Sequence, residues 1–308
     1  MINNQEKYRI GFIGLGTMGK PMCKRLLEAG YEVIVYDKNP DPVSDLANEG
    51  ATVANDPIEC GSTSQILLTS LPHPHHVKTL MLEEGVLASL KSKSIWVDLT
   101  TNRRGLIESL AYDAPENVSV VDSPVTGAVD GARNGQLTLF AGGQEDIIQE
   151  VLPILQNLGR VIICGPLGTG NVVKLVTNQL WFIAAASIGE GFALGMANGV
   201  DLSVLWDAIK DSAGDSFVAR HDAPSIFAGH YDPSFSLDLC LKDLNLIQDL
   251  SYEVKTELPM TKTANSIFEK AAAKYGIGAG EMNVTRMLED QSGLSFRLEG
   301  EWTPPWER

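Results

Sequence analysis

Cysteine is scarce in this chain: Cys23, Cys60, Cys164 and Cys240 are the only four in 308 residues, and no two form a CxxC pair. Their scatter excludes a disulfide scaffold or a cysteine-built zinc module and marks them as reduced packing residues. Positive charge is also short. The 24 Lys and Arg stand against 39 Asp and Glu, a net charge of -15, whereas a nucleic-acid partner needs clustered cations that displace counterions. No nucleic acid is therefore expected, and an anionic ligand has to be held by local positive potential from helix N-termini and a few placed lysines. No apolar run is expected to span a membrane once Glu190 is counted within the long apolar stretch after Lys174. Residues 1–9 have neither an apolar segment nor arginine richness, so the expected location is cytoplasmic. Three of the five histidines, His73, His75 and His76, share one loop. They have no matching distant Cys or His set, and no metal is expected.

What is present is ordinary for a globular protein: 44% hydrophobic and 20% charged residues. A chain of this length exceeds what one core usually organises, so two domains are expected. Short apolar or β-branched runs at residues 8–13, 32–36, 65–71, 94–99 and 118–121 alternate with helix-like stretches. That alternation predicts βαβ units and a parallel, doubly wound α/β sheet of the Rossmann kind. Residues 136–141 and 160–164 add two strands, with a helix over 145–158 between them. The pattern changes after Gly165. Residues 170–198 read as one helix spanning on the order of 40 Å, apolar nearly all round, and the remainder of the chain has helix starts and stops but no convincing strand. The expected organisation is a dinucleotide-binding domain over 1–165, then an all-helical domain over 166–296 that begins with the long connecting helix. A tail over 297–308 carries Trp302 and Trp306 and is expected to dock rather than trail free.

Three motifs carry chemistry. Gly14-Leu15-Gly16-Thr17-Met18-Gly19 follows an apolar strand, opens a helix and leads to a second strand ending in Asp37. In that context Gly14 permits the tight turn, Gly16 the approach of a pyrophosphate and Gly19 close packing of helix on strand. Asp37, about 20 residues beyond the glycines, accepts hydrogen bonds from a ribose and repels a 2′-phosphate, so NAD is favoured over NADP. Lys38 beside it carries a charge that could partly offset the acid, and the sequence leaves that open. The second motif, Asp122-Ser123-Pro124-Val125-Thr126-Gly127-Ala128, sets small residues and backbone amides where a strand ends, a loop suited to a carboxylate. The third, Gly170-Asn171-Val172-Val173-Lys174 with Asn178, puts an amine and an amide one helical turn apart. Together they read as an enzyme moving hydride between a dinucleotide and a small hydroxy acid. Arg220 and His221 are open to either a pocket wall or a solvated helix face.

In this order the motifs resemble the β-hydroxyacid dehydrogenase family, whose members include 3-hydroxyisobutyrate dehydrogenase and tartronate semialdehyde reductase. The resemblance runs from Ile10 to about Gly293. It adds Leu71-Pro72 after the fourth strand, Asp98-Leu99-Thr100-Thr101, and Phe235 with Leu241-Lys242-Asp243-Leu244. It implies that Leu71, Pro72, Thr101 and Lys242 approach the cofactor. It implies also that Ser123, Thr126, Gly127, Ala128, Asn178 and Lys242 hold the substrate, and that Lys174 is the general base or acid, its pKa lowered by burial. A homodimer or homotetramer, with a partner's second domain covering the long helix, is the implied assembly. The chain departs from the family at Thr126-Gly127-Ala128, where Ser-Gly-Gly is common, and at Asn102-Arg103-Arg104, where a small residue and proline are usual. Other readings are a non-catalytic nucleotide-binding sensor or scaffold, an imine reductase, and a 6-phosphogluconate dehydrogenase. The first two commonly lack the lysine, and the third has a longer second domain with phosphate-binding cations.

Overall fold

A computed structural model describes residues 8–304 and Glu307, so the polar start of the chain and Trp306 lie outside the described residues. The chain divides into two compact units, one running to Lys174 and one from Leu175. The division falls inside the long helix, Thr169–Ala197, because its first turns are hydrogen-bonded to the first unit.

The first unit is built on nine strands: β1 (Arg9–Ile13), β2 (Glu32–Tyr36), β3 (Thr52–Val53), β4 (Ile66–Thr69), β5 (Ile95–Asp98), β6 (Ser119–Asp122), β7 (Val125–Thr126), β8 (Leu137–Gly142) and β9 (Gly159–Gly165). Their order is β3-β2-β1-β4-β5-β6-β8-β7, with β9 also on β8. The first six run parallel, β8 is antiparallel to β6 and β7, and β9 is parallel to β8. Side chains alternate between two cores. Ile10, Phe12, Val33, Val35, Ile66, Leu68, Ile95 and Val97 face one, while Ile13, Ile34, Leu67 and Trp96 face the other. Both faces being covered explains why these strands read as continuous apolar runs rather than alternating ones. The expected α/β sheet is thus observed. The order reverses between β1 and β4, and ligands of such sheets bind beyond the carboxyl ends of the strands at that switch point. Two strands escape the sequence pattern, β3 and β7. At two residues each they are too short to show a period.

The second unit is helical, and among its described residues the only β pairing is the isolated bridge between Ser236 and Gly280. Its core gathers Leu175, Phe182, Ala185 and Phe192 of the long helix with Phe227, Leu237, Leu244 and Phe268. The segment from Phe296 to Trp302 packs on this same unit. Phe296 is fully buried against Phe192, Trp302 meets Trp206 and Phe227 with centroids 5.7 and 5.5 Å away, and Arg297 bonds Glu289 at 2.8 Å.

The long helix corrects one expectation. With Lys174 and Glu190 as its only charges over 29 residues, it is long and apolar enough to cross a membrane by length and composition. Such a test is also passed by a soluble protein's central helix, and the buried side chains just named give this one a core role. Its burial is one-sided, however. Val176, Leu180 and Leu194 are 46%, 64% and 70% exposed and share one face at helical spacing.

Candidate active site

The turn after β1 is shaped by its glycines in three different ways. Gly14 has φ 95°, and a Cβ there would lie 2.2 Å from the Ser70 carbonyl oxygen. A Cβ on Gly19 would lie 1.8 Å from the Gly14 carbonyl oxygen, so Gly19 lets the helix Gly19–Glu28 begin tight against the turn. A Cβ on Gly16 would meet nothing within 4 Å. Gly16 and Thr17 are exposed and Met18 is half-buried. The turn therefore leaves open space above Gly16, at the start of a helix with no acidic residue in its first turn, where a pyrophosphate is favoured by the helix dipole and free amides. The residues present fit a dinucleotide.

Asp37, just after β2, is drawn onto this turn. Its Oδ2 accepts the Leu15 N–H at 2.6 Å and its Oδ1 the Asn39 N–H at 2.7 Å. A carboxylate has about four acceptor positions, so this one keeps capacity for ribose hydroxyls. Lys38 turns away to Glu84, Nζ to Oε1 2.7 Å, and this partner raises the lysine's pKa. The sequence leaves the effect of Lys38 on Asp37 open; the structure directs its charge to another carboxylate. Beside the turn, the Leu71 N–H donates to Thr100 Oγ1 at 3.0 Å. Thr100 is therefore the internal tie of its segment, while Thr101 is half-buried and Pro72 exposed.

The rings of His73, His75 and His76 cluster, with centroids 4.0 to 5.4 Å apart. Burial, then the neighbouring His75 and His73, hold His76 below its ordinary pKa. Among the described residues no group of three His, Cys, Asp or Glu has a geometry that could hold a metal.

The loop after β6 carries the candidate carboxylate site. Ser123 is fully buried, its N–H donating to the Asp98 carbonyl at 2.7 Å. Thr126 pairs with Thr138 of β8. Gly127 and Ala128 both have positive φ, 124° and 57°. An alanine in the left-handed region costs roughly 1 kcal/mol more than glycine would, so the methyl at Ala128 is held there against a local preference. All three of Thr126, Gly127 and Ala128 are half-buried.

Lys174 lies in the second turn of the long helix and is buried at 8% exposure. Three residues that the sequence motifs do not assign to the site fix the start of that helix. Asp122, the last residue of β6, accepts the N–H of Gly168 at 2.6 Å and of Asn171 at 2.7 Å. Asn102 and Asn171 join it through a further chain of bonds. Burial pushes the Asp122 carboxyl up to about 6, against the opposing pull of these donors. Because that value lies above the ordinary one, its contribution to stability is greatest when protonated and declines as pH rises through about 6. A polar residue ending a strand gives no sequence signal of this kind, since its partners lie 46 and 49 positions away.

On the second unit, Asn178 Nδ2 donates to Asp243 Oδ2 at 2.7 Å, and Lys242 Nζ lies 2.7 Å from Asp243 Oδ1. Lys242 is thus an ion-pair partner within its own segment. Trp181 packs edge-on to Phe235 and donates its indole N–H to Asp222, which also pairs with His221. Arg220 is engaged with Asp215 and the Lys210 carbonyl.

A dinucleotide turn at the switch point of a parallel sheet, with a buried lysine anchored in the same unit, defines a nicotinamide-dependent oxidoreductase. Comparison with known proteins agrees. A family described as the NAD binding domain of 6-phosphogluconate dehydrogenase matches residues 9–165, and one described as NAD-binding of NADP-dependent 3-hydroxyisobutyrate dehydrogenase matches residues 168–288. The chain belongs to the β-hydroxyacid dehydrogenase family. A 2-(hydroxymethyl)glutarate dehydrogenase of Eubacterium barkeri is 32% identical, over 94% of this chain and 98% of its own length. The 3-hydroxyisobutyrate dehydrogenase of Pseudomonas aeruginosa is 33% identical, over 84% and 90%. In structure, a 3-hydroxyisobutyrate dehydrogenase of Mycobacterium tuberculosis with L-serine superposes with a TM-score of 0.84 at 27% identity, over 92% of this chain and 99% of that one. An imine reductase from Pseudomonas sp., at 21% identity and a TM-score of 0.61, shares the fold.

Proposed function

We propose that the protein is an NAD-dependent dehydrogenase of a small 3-hydroxy carboxylic acid, interconverting it with its semialdehyde, with Lys174 as the general base and acid. The observation that carries this reading is the buried lysine on a helix clamped to the unit that holds the dinucleotide turn. Nicotinamide supplies the hydride acceptor when bound. The chain's own residues do the rest: Lys174, as a neutral amine, takes the hydroxyl proton from the oxygen on the carbon that loses hydride, and returns it in the reducing direction. The hydroxyl and backbone of Thr126, Gly127 and Ala128 bind the carboxylate and so orient that carbon. Asn178, one turn beyond the lysine on the same helix, has its side-chain amide fixed by Asp243; its role is either to hydrogen-bond the substrate or to hold the lysine in place. Candidate substrates are 3-hydroxyisobutyrate, tartronate semialdehyde, succinic semialdehyde, serine and sulfonated analogues. A screen of such hydroxy acids and semialdehydes by NADH absorbance tests the reading; no turnover with any of them would count against it. The imine reductase reading commonly lacks the lysine present here.

The cofactor is NAD. With Lys38 committed to Glu84, a 2′-phosphate would meet the Asp37 carboxylate uncompensated. NAD should bind at least ten-fold more tightly than NADP, about 1.4 kcal/mol, and equal affinities in a titration would contradict the assignment.

A homodimer or homotetramer is the proposed assembly. The exposed face carries Val176, Leu180 and Leu194 with Ser187 and Glu190 between them; exposed apolar side chains grouped on one helix face mark an interaction surface, and a partner copy's second unit is its proposed cover. Leu180→Asp combined with Leu194→Asp should shift the protein to monomer in sedimentation at micromolar concentration. A wild-type monomer at that concentration would refute the assembly.

A further inference from the structure

The helix bearing Lys174 begins at Thr169, and the residue before it, Gly168, has no side chain with which to cap it. The missing cap comes from the sheet. Asp122 accepts the Gly168 N–H through Oδ1, and through Oδ2 both the Asn171 N–H and, at 3.0 Å, the Asn171 side-chain amide. Glycines make room for this approach: a Cβ on Gly142 would lie 2.4 Å from Asp122 Oδ1, and one on Gly170 2.0 Å from the Phe140 carbonyl oxygen.

A second tie reaches the same turn from the neighbouring strand. Asn171 Oδ1 accepts the backbone N–H of Asn102 at 2.6 Å. The Asn102 side chain in turn donates Nδ2 to Asp98 Oδ2 at 3.0 Å and accepts the Arg103 N–H at 2.8 Å. Asp98 Oδ1 accepts from Thr69 Oγ1 at 2.8 Å, which carries the chain to the end of β4. Asp98, Asn102 and Asp122 are fully buried, as is Asn171. Asn171 is thus held from two sides, by β6 through Asp122 and by β5 through Asn102, and Lys174 stands one turn along the helix from it.

We propose that Asn102 is a positioning residue for Lys174, locking the loop after β5 so that its backbone N–H and Asp122 together fix Asn171 and the turn that carries the lysine. The proposal rests on the reading of Lys174 as the acid–base group. The Asn102 side chain, bonded to Asp98 and to the Arg103 N–H, holds the loop whose backbone N–H reaches Asn171, and fixing that turn fixes where the lysine stands. Displacement of a reacting group by about 1 Å is enough to lower turnover on the order of 10²-fold.

The test is a double-mutant cycle in kcat, with NAD affinity measured beside it. Asn102→Ala should lower kcat by about 10- to 100-fold while leaving the Kd for NAD within about two-fold, because the pyrophosphate turn is elsewhere in the unit. In a Lys174→Ala background the same substitution should lower the residual rate by less than about two-fold, since a residue acting through the lysine has nothing left to position. Unchanged kcat in Asn102→Ala, or an equal loss in both backgrounds, would overturn the positioning role while leaving Lys174 as the base. Wild-type turnover in Lys174→Ala alone would overturn the acid–base reading and this proposal with it. If Asn102→Ala lowers the melting temperature too far to assay, Asn102→Ser, which keeps a small polar side chain but cannot span to Asp98, enters the same cycle with the same expected outcomes.

Discussion

Replacement of Lys174 by alanine should lower turnover by about 10²- to 10⁴-fold, the range for loss of a general acid or base, with NAD affinity nearly unchanged. The two effects separate because the pyrophosphate turn lies after β1, whereas the lysine is reached through Asp122 and Asn171 at the ends of β6 and the long helix. Lys174→Arg should recover little, since a guanidinium remains protonated and cannot take the hydroxyl proton. Steady-state rates on the substrate found in the absorbance screen, with NAD binding measured by titration, decide the matter. Wild-type turnover in the alanine variant would reduce the lysine to a structural group. The base would then have to be sought at Lys242, whose ammonium is already paired to Asp243, or among His73, His75 and His76.

Much of this architecture is legible in the sequence because it rests on local signals. The turn glycines precede a helix, the parallel strands β1, β2, β4, β5 and β6 are runs of four or five residues rich in apolar side chains, and the long helix is apolar throughout; each is read from neighbours in the chain. Asp37 is found by its distance from the glycines, and Lys174 by the motif around it. What escapes is set by contacts across long separations. The cap that Asp122 gives to Gly168 and Asn171 joins residues more than forty positions apart, so although the aspartate opens the loop motif, nothing local shows that it caps the long helix. Asn102 is visible in the sequence only as a departure from a familiar pattern; its bond to Asp98 gives the departure a reason. The one-sided exposure of the long helix is hidden for a related cause. Its composition is apolar all round, so the period that would separate a core face from an outward face is too weak to read, and the packing of Phe182 and Phe192 against the second unit's other helices decides it.

The glycines of the nucleotide turn should separate cleanly into one that serves the ligand and one that serves the fold. Gly16→Val adds atoms where a Cβ meets nothing within 4 Å, and Gly16 has no positive φ for a branched residue to strain. The variant should therefore melt close to wild type. Its side chain would nonetheless occupy the space that the pyrophosphate needs to reach the amides at the start of the helix Gly19–Glu28, and NAD affinity should fall by about 100-fold, roughly 2.7 kcal/mol. Gly19→Ala should do the reverse in order of cause. Its methyl would lie 1.8 Å from the Gly14 carbonyl oxygen, a backbone atom that cannot rotate away, so the helix must withdraw from the turn and the melting temperature should drop even without cofactor. Thermal melts of the two variants, with and without NAD, provide the comparison. A Gly16→Val protein that gains as much thermal stability from NAD as wild type does would show that the pyrophosphate does not lie over Gly16, and would move the cofactor site away from this turn.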